Sequence, residues 1–121
     1  MDREPLPVLH LNLVVTDLER SLAFYEEHFG FTRHAEYGDG TVFVRNAQGF
    51  DLGLKPGAPS TMPAPTMHFG FRAPHPEAVR ALRDELHRTG APFTEESDED
   101  DFVGCKVLDP DGYEIEIYWE A

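Results

Sequence analysis

The sequence contains one pattern of predicted elements that occurs twice, and this repeat constrains the fold more than any other feature. Each copy predicts a strand, a helix and three further strands; module one covers residues 7–55 and module two residues 66–119. The stretch between them, residues 56–65, has four prolines and no hydrophobic periodicity, so it is predicted to be a linker. We expect the two copies to pair within a single domain of residues 1–121, because one copy is too small to bury its own sheet face.

Alternation of apolar and polar residues supports the first strand of each module. Residues 8–15, VLHLNLVV, place leucines and valine on one face and His10 and Asn12 on the other. Residues 66–73, TMHFGFRA, alternate in the same way and place His68 and Arg72 on the second face. His10 and His68 are 58 residues apart and occupy the same place in the repeat.

The two helices are predicted from their ends and from their apolar spacing. The first helix has Thr16 or Asp17 as its N-cap and Gly30 where a C-cap glycine belongs. The second helix has Pro76 in its first turn and ends at Gly90. The predicted fold class is therefore α+β, with the two βαβββ modules paired into one strongly curved mixed sheet and the helices outside.

The closing strand carries the most informative polar residues. The turn Asp-Pro-Asp-Gly, residues 109–112, precedes a strictly alternating strand. Ile115 and Ile117 point to one face, while Glu114, Glu116 and Tyr118 point to the other. The inner face of the predicted sheet therefore carries these residues: His10, Asn12, His68, Arg72, Lys106, Glu114, Glu116 and Tyr118.

The composition excludes some classes of partner. The formal net charge is −13, from 23 acidic and 10 basic residues, which argues against nucleic acid and anionic membranes as partners. No stretch approaches the roughly 20 apolar residues of a membrane span, so we expect a soluble, cytoplasmic protein. The acidic run at residues 95–101, EESDEDD, is interpreted as a solvated loop, because it lacks the spacing of a calcium loop.

Two imidazoles and one carboxylate on the predicted inner face match a metal site with two histidines and one acid. Taken alone, each of His10, His68 and Glu116 is more often a structural or solvated residue. Together, at matching places of the repeat, they favour a site with open positions for water or substrate.

Two motifs resemble those of the vicinal oxygen chelate superfamily, which includes glyoxalase I, fosfomycin-modifying thiol transferases, extradiol dioxygenases and bleomycin-resistance proteins. Residues 10–31, HLNLVVTDLERSLAFYEEHFGF, resemble the superfamily's opening module, and residues 109–117, DPDGYEIEI, resemble its last strand. The resemblance covers nearly all of residues 7–119 and implies the glyoxalase/bleomycin-resistance fold.

The resemblance also implies roles for individual residues. It assigns His10, His68 and Glu116 as ligands of one divalent ion, which could be Fe, Mn, Ni, Co or Zn, and it makes Glu116 the catalytic residue as well. Four inner-face residues are candidates for substrate binding. Arg72 and Lys106 could neutralise an anionic substrate, and Tyr118 and Asn12 could form hydrogen bonds with it. The implied homodimer could pair its modules within one chain or between two chains.

The resemblance favours a metal-dependent enzyme that acts on a small, oxygen-rich substrate. The reaction could be of the lyase or isomerase, thiol-transfer or ring-cleaving type. Glyoxalase I has a fourth ligand, a glutamate, where this chain has Gly53; Asp51 is an ill-placed substitute. Fosfomycin enzymes continue beyond the last strand with basic residues, whereas this sequence ends at Ala121. The alternative function is a metal-free protein that sequesters a toxic small molecule.

Overall fold

The first module forms a four-stranded mixed sheet with one helix. A computed structural model describes residues 4–58 and 67–121. The first module has the elements β1 (His10–Val15), α1 (Leu18–Phe29), β2 (Thr32–Glu36), β3 (Val42–Arg45) and β4 (Asp51–Pro56). The strand order is β1-β4-β3-β2, in which β1 is parallel to β4 and the other neighbours are antiparallel.

The second module repeats this topology in a compact unit of its own. Its elements are β5 (Phe69–Arg72), α2 (Pro76–Arg88), β6 (Phe93–Asp98), β7 (Phe102–Leu108) and β8 (Glu114–Glu120). The order is β5-β8-β7-β6, again with one parallel pair, β5 with β8. The predicted α+β class and the βαβββ order are confirmed. The single domain and the pairing of the two modules stay predictions.

Each helix covers one face of its own sheet, as expected. In module one, α1 packs against β4, and Leu22 and Tyr25 of this helix are fully buried. In module two, α2 packs against β7 and β8, and it buries Val79 and Leu86. The apolar residues that alternate along the strands form the rest of each core, so the polar residues between them lie on the face away from the helix.

The ends of α1 and α2 show why the helices begin and stop where they do. The carboxylate of Asp17 accepts a hydrogen bond of 3.1 Å from the backbone N–H of Arg20, and Gly30 closes α1 with φ of 68°. At the start of α2 the ring nitrogen Nδ1 of His75 accepts from the N–H of Ala78, so a histidine acts as the N-cap.

Two predicted boundaries were wrong. β5 begins at Phe69, so His68 lies immediately before the strand and not inside it. The sequence also predicts a strand at residues 91–96, APFTEE, but β6 extends to Asp98, two residues further into the acidic run for which a loop was expected. The strand forms because β6 pairs with β7 and because Arg80 of α2 binds the Asp98 carboxylate with two hydrogen bonds, of 2.8 and 3.0 Å.

The predicted linker, residues 56–65, begins at the last residue of β4 and otherwise falls largely outside the described residues. Within the described ranges, neither helix combines the length and the apolar character that a membrane span requires.

Candidate functional site

The turn before β8 determines which residues of that strand face away from the helix. Asp109 is buried, and its Oδ1 atom accepts hydrogen bonds of 2.9 Å from the backbone N–H groups of Asp111 and Tyr113. Gly112 has φ of 89°, which a residue with a side chain rarely adopts. Together these contacts define the start of β8 and hence the face on which Glu116 lies.

Alternation along β8 separates its core side chains from the site. Ile115 and Ile117 are buried beneath α2, whereas Glu116 and Tyr118 are half-buried on the opposite face. Gly70 of β5 is the parallel neighbour of Glu116, and a Cβ atom at Gly70 would lie 3.5 Å from the Cβ of Glu116. A side chain at position 70 would therefore lie against both Glu116 and Tyr118.

His68 and Glu116 are in direct contact in module two. The Nε2 atom of His68 lies 3.1 Å from Oε1 of Glu116, and 29% and 24% of their side chains are exposed. On the other side of the same ring, Nδ1 lies 3.9 Å from Oε1 of Glu114. The structure therefore brings together two of the three predicted ligands and adds a carboxylate to which sequence reasoning gave no role.

Both cationic candidates of module two already have carboxylate partners. The Nζ atom of Lys106 lies 3.2 Å from Glu95, and this hydrogen bond is the main reason that the pKa of Lys106 is raised. Arg72 donates hydrogen bonds to the side chain of Glu120 at 3.3 Å and to its backbone carbonyl at 3.2 Å. An anionic substrate would have to compete with these two carboxylates.

The two hydrogen-bonding candidates lie in different modules. The ring of Tyr118 stacks on that of Phe102, with centroids 6.3 Å apart and planes inclined by 15°. Asn12 lies on β1 opposite Gly53 of β4, on the face of module one that also carries His10. Tyr118 therefore shares a sheet with the His68–Glu116 pair, while Asn12 shares one with His10.

His10 is exposed at the start of β1, and its parallel neighbour is Asp51. The Asp51 carboxylate accepts two hydrogen bonds from Arg45, of 2.7 and 3.1 Å. These bonds are the largest cause of the lowered pKa of Asp51, and the nearby His34 and His10 act in the same direction. Because Arg45 engages both of its oxygens, Asp51 is poorly suited to replace the missing fourth ligand.

Gly53 has no room for the fourth ligand either. A Cβ atom at this position would lie 2.7 Å from Oδ1 of Asn12 and 2.8 Å from Cε1 of Phe43. The space that a glutamate would need is therefore occupied by the side chains of its neighbours in the sheet.

The donors of the second module fit part of a metal centre. Among residues 4–58 and 67–121, no group of three or more His, Cys, Asp or Glu side chains is arranged to hold an ion. Imidazole nitrogen and carboxylate oxygen are nevertheless the donors that first-row divalent ions accept, and His68 and Glu116 present one of each in contact. The participation of His10 as a third ligand stays a prediction.

Thr94 is a residue that sequence reasoning missed. Its hydroxyl donates a 2.7 Å hydrogen bond to Oε2 of Glu114. The alternation of β8 placed Glu114 on the inner face with Glu116 but gave it no role. No sequence signal points to Thr94, because it lies at an irregularity in the pairing of β6 with β7.

Comparison with known proteins places these observations in a family. The family model described as the Glyoxalase/Bleomycin resistance protein/Dioxygenase superfamily matches residues 8–117. The glutathione transferase FosA of Serratia marcescens is 25% identical over 111 residues, which cover 90% of this chain and 77% of that protein.

Solved structures show the same fold. A possible glyoxalase from Bacillus cereus is 27% identical and has a TM-score of 0.79, with 93% of this chain and 98% of that chain covered. The fosfomycin resistance protein FosX of Listeria monocytogenes, solved with Mn(II) and sulfate, has a TM-score of 0.81 at 18% identity, with 98% and 93% covered. The chain belongs to the glyoxalase/bleomycin resistance protein/dioxygenase superfamily.

Proposed function

We propose that this protein is a metal-dependent enzyme in which His10, His68 and Glu116 bind one divalent ion and present it to a small, oxygen-rich substrate. The observation that carries the proposal is the 3.1 Å contact between His68 and Glu116 on the half-buried face of module two. A histidine and a glutamate on that face supply two donors, and the repeat supplies His10 as the third.

The proposed ion would act on the oxygen atoms of the substrate. When bound, a divalent ion of this kind supplies Lewis-acid polarisation of substrate oxygens. Manganese is the first ion to test, because the Listeria FosX structure contains Mn(II). Iron, nickel, cobalt and zinc follow, since all of them accept imidazole and carboxylate ligands.

Residues on the two sheet faces would bind the substrate around this centre. We assign hydrogen bonding of substrate oxygens to Tyr118 and Asn12, and neutralisation of a negative charge to Arg72 and Lys106. Because these cations are paired with Glu120 and Glu95, a neutral or singly charged substrate fits better than a highly charged one.

The filled space at Gly53 favours a three-ligand site and disfavours lyase chemistry of the four-ligand glyoxalase type. The name of the Serratia relative makes glutathione transfer to a small oxygenated electrophile the first reaction to assay. Ring cleavage is the reaction to assay next if the bound ion is Fe(II).

Metal binding tests the proposal most directly. Protein purified without chelator or affinity metal should contain near-stoichiometric divalent ion, or take it up when titrated with the five candidate metals. The variants His10→Ala, His68→Ala and Glu116→Ala should each lose the ion. The matched control is His87→Ala, because His87 also contacts a glutamate in module two, Glu96 at 2.9 Å, but belongs to α2.

The same experiment can refute the proposal. If wild type binds none of the five ions, or if His87→Ala weakens binding as much as His68→Ala, the three residues do not form a metal site. A metal-free protein that sequesters a small molecule would then be the better account.

We also propose a homodimer, in which the modules that share a site belong to one chain or to two. Mixing His10→Ala subunits with His68→Ala subunits distinguishes these arrangements. If the site is shared between subunits, each mixed dimer regains one intact site and binds metal. If both histidines come from one chain, the mixture binds none.

A further inference from the structure

In each module a carboxylate lies opposite the proposed histidine ligand across the parallel strand pair. The register of β1 with β4 places His10 opposite Asp51. The register of β5 with β8, continued back by one residue, places His68 opposite Glu114, and their side chains approach to 3.9 Å. Asp51 and Glu114 are thus equivalent positions of the repeat.

Both carboxylates are held in place by a donor from another strand of the same sheet. Arg45 of β3 donates hydrogen bonds of 2.7 and 3.1 Å to the two oxygens of Asp51. Thr94 of β6 donates one of 2.7 Å to Oε2 of Glu114. The donor differs between the two modules, but in each module its hydrogen bonds restrict the rotation of the carboxylate that lies opposite the histidine.

The contacts of Glu114 divide its two oxygens between different partners. Oε2 accepts from Thr94, while Oε1 faces the Nδ1 atom of His68. The other ring nitrogen, Nε2, faces Glu116. The ring is therefore held between a carboxylate on its Nδ1 side and the proposed ligand on its Nε2 side. A histidine that binds metal through one nitrogen commonly gives the N–H of the other to a carboxylate, which determines the tautomer and the ring orientation.

We infer that Glu114, held by Thr94, is a positioning residue for His68, and that Asp51, held by Arg45, is its counterpart for His10. The inference rests on the proposed metal site. It explains why a second carboxylate lies next to the ligand Glu116 on the same face of β8. It also gives a role to the Arg45–Asp51 pair, which lies beside His10 and is poorly suited to supply a fourth ligand.

Manganese affinity measured by calorimetry on the full chain tests the inference. Glu114→Gln and Asp51→Asn should each weaken Mn(II) binding by about 10- to 100-fold, the effect usual for removal of an outer carboxylate. The control is Glu96→Gln, which removes the same charge from a glutamate whose partner is His87. Its affinity should match that of wild type.

Substitution of Thr94 separates positioning from the loss of a negative charge. Thr94→Val removes the hydroxyl without a change of charge, so it should weaken Mn(II) binding in the same direction as Glu114→Gln. Thr94→Ser keeps the hydroxyl and should restore wild-type affinity. In zinc-loaded protein, the exchangeable Nδ1 proton of His68 should give a resolved NMR signal that is lost in Glu114→Gln.

The outcomes distinguish this inference from the proposed function. If wild type binds Mn(II), Glu116→Ala abolishes binding, and Glu114→Gln and Thr94→Val bind as wild type does, the positioning role is refuted and the metal site stands. If wild type binds neither Mn(II) nor Zn(II), the proposed function fails and the positioning role fails with it.

Discussion

The Oδ1 atom of Asn12 lies 2.7 Å from the point at which a Cβ atom on Gly53 would stand. Asn12 belongs to β1 and Gly53 to the neighbouring strand β4, so a polar side chain from one strand uses the space left by the other. The ring of Phe43 closes the same space from β3, at 2.8 Å. Two side chains therefore occupy the volume that a side chain at position 53 would need.

Gly53→Ala should lower the free energy of unfolding by about 1–2 kcal/mol, since overpacking outweighs the small gain from removing a strand glycine. Urea unfolding followed by circular dichroism measures the change. Gly38→Ala is the matched control, because no atom lies within 4 Å of its added Cβ, and it should be neutral or slightly stabilising. Equal effects at both positions would contradict the packing account.

Asp109→Ala should destabilise the protein by about 1–3 kcal/mol. The substitution removes the oxygen that accepts from the N–H groups of Asp111 and Tyr113 at the start of β8, and Asp109 itself is buried. Asp109→Asn keeps a side-chain oxygen at the same position and should lose much less stability. Thermal unfolding of the three proteins is the measurement, and equal losses in both variants would show that the turn hydrogen bonds are unimportant.

Much of the fold could be predicted because local patterns decide it. The caps at Asp17 and Gly30 and the alternation from Ile115 to Ile117 appear in the structure where the sequence placed them. The same alternation placed Glu116 on the face opposite the core, and the repeat gave His68 a corresponding location. The contact between these two side chains follows from strand pairing, which the repeat itself implies.

What could not be predicted depends on contacts between segments distant in sequence. Ser97 and Asp98 continue β6 without any apolar residue, so this end of the strand forms through pairing with β7 and through the contact of Asp98 with Arg80. The partner of Arg72 is likewise decided by the register that brings it near Glu120. No local sequence pattern indicates which carboxylate will neutralise a given cation.

The thiol of Cys105 should be unreactive in the native protein. Its side chain is buried, and burial raises its pKa to about 11, with the charge of Glu96 adding to the shift. The nucleophilic thiolate is therefore scarce at neutral pH, and access is poor as well. A disulfide reagent at about pH 8 should label the unfolded chain promptly and the folded chain only at the rate of unfolding. Rapid labelling of the folded protein would contradict the buried position.

The ion pairs of Asp98 should make the free energy of unfolding depend on pH. The hydrogen bonds from Arg80, followed by the one from Arg83, lower the pKa of Asp98 from 3.8 to about 2. The folded pKa lies below the unfolded one, so the carboxylate stabilises the folded state above pH 3.8, and this contribution is lost as the pH falls towards 2. Above about pH 5, Asp98→Asn should unfold at lower urea concentration than wild type by a constant amount.

Between about pH 5 and pH 2 the difference between wild type and Asp98→Asn should shrink, because protonation removes from wild type the charge that the variant lacks. Asp100→Asn removes the same charge two residues further on, from the exposed loop that follows β6, and serves as the control. Urea unfolding at a series of pH values measures all three proteins. A difference between wild type and Asp98→Asn that stayed constant down to pH 2 would show that the stabilisation does not come from the ionised carboxylate of Asp98.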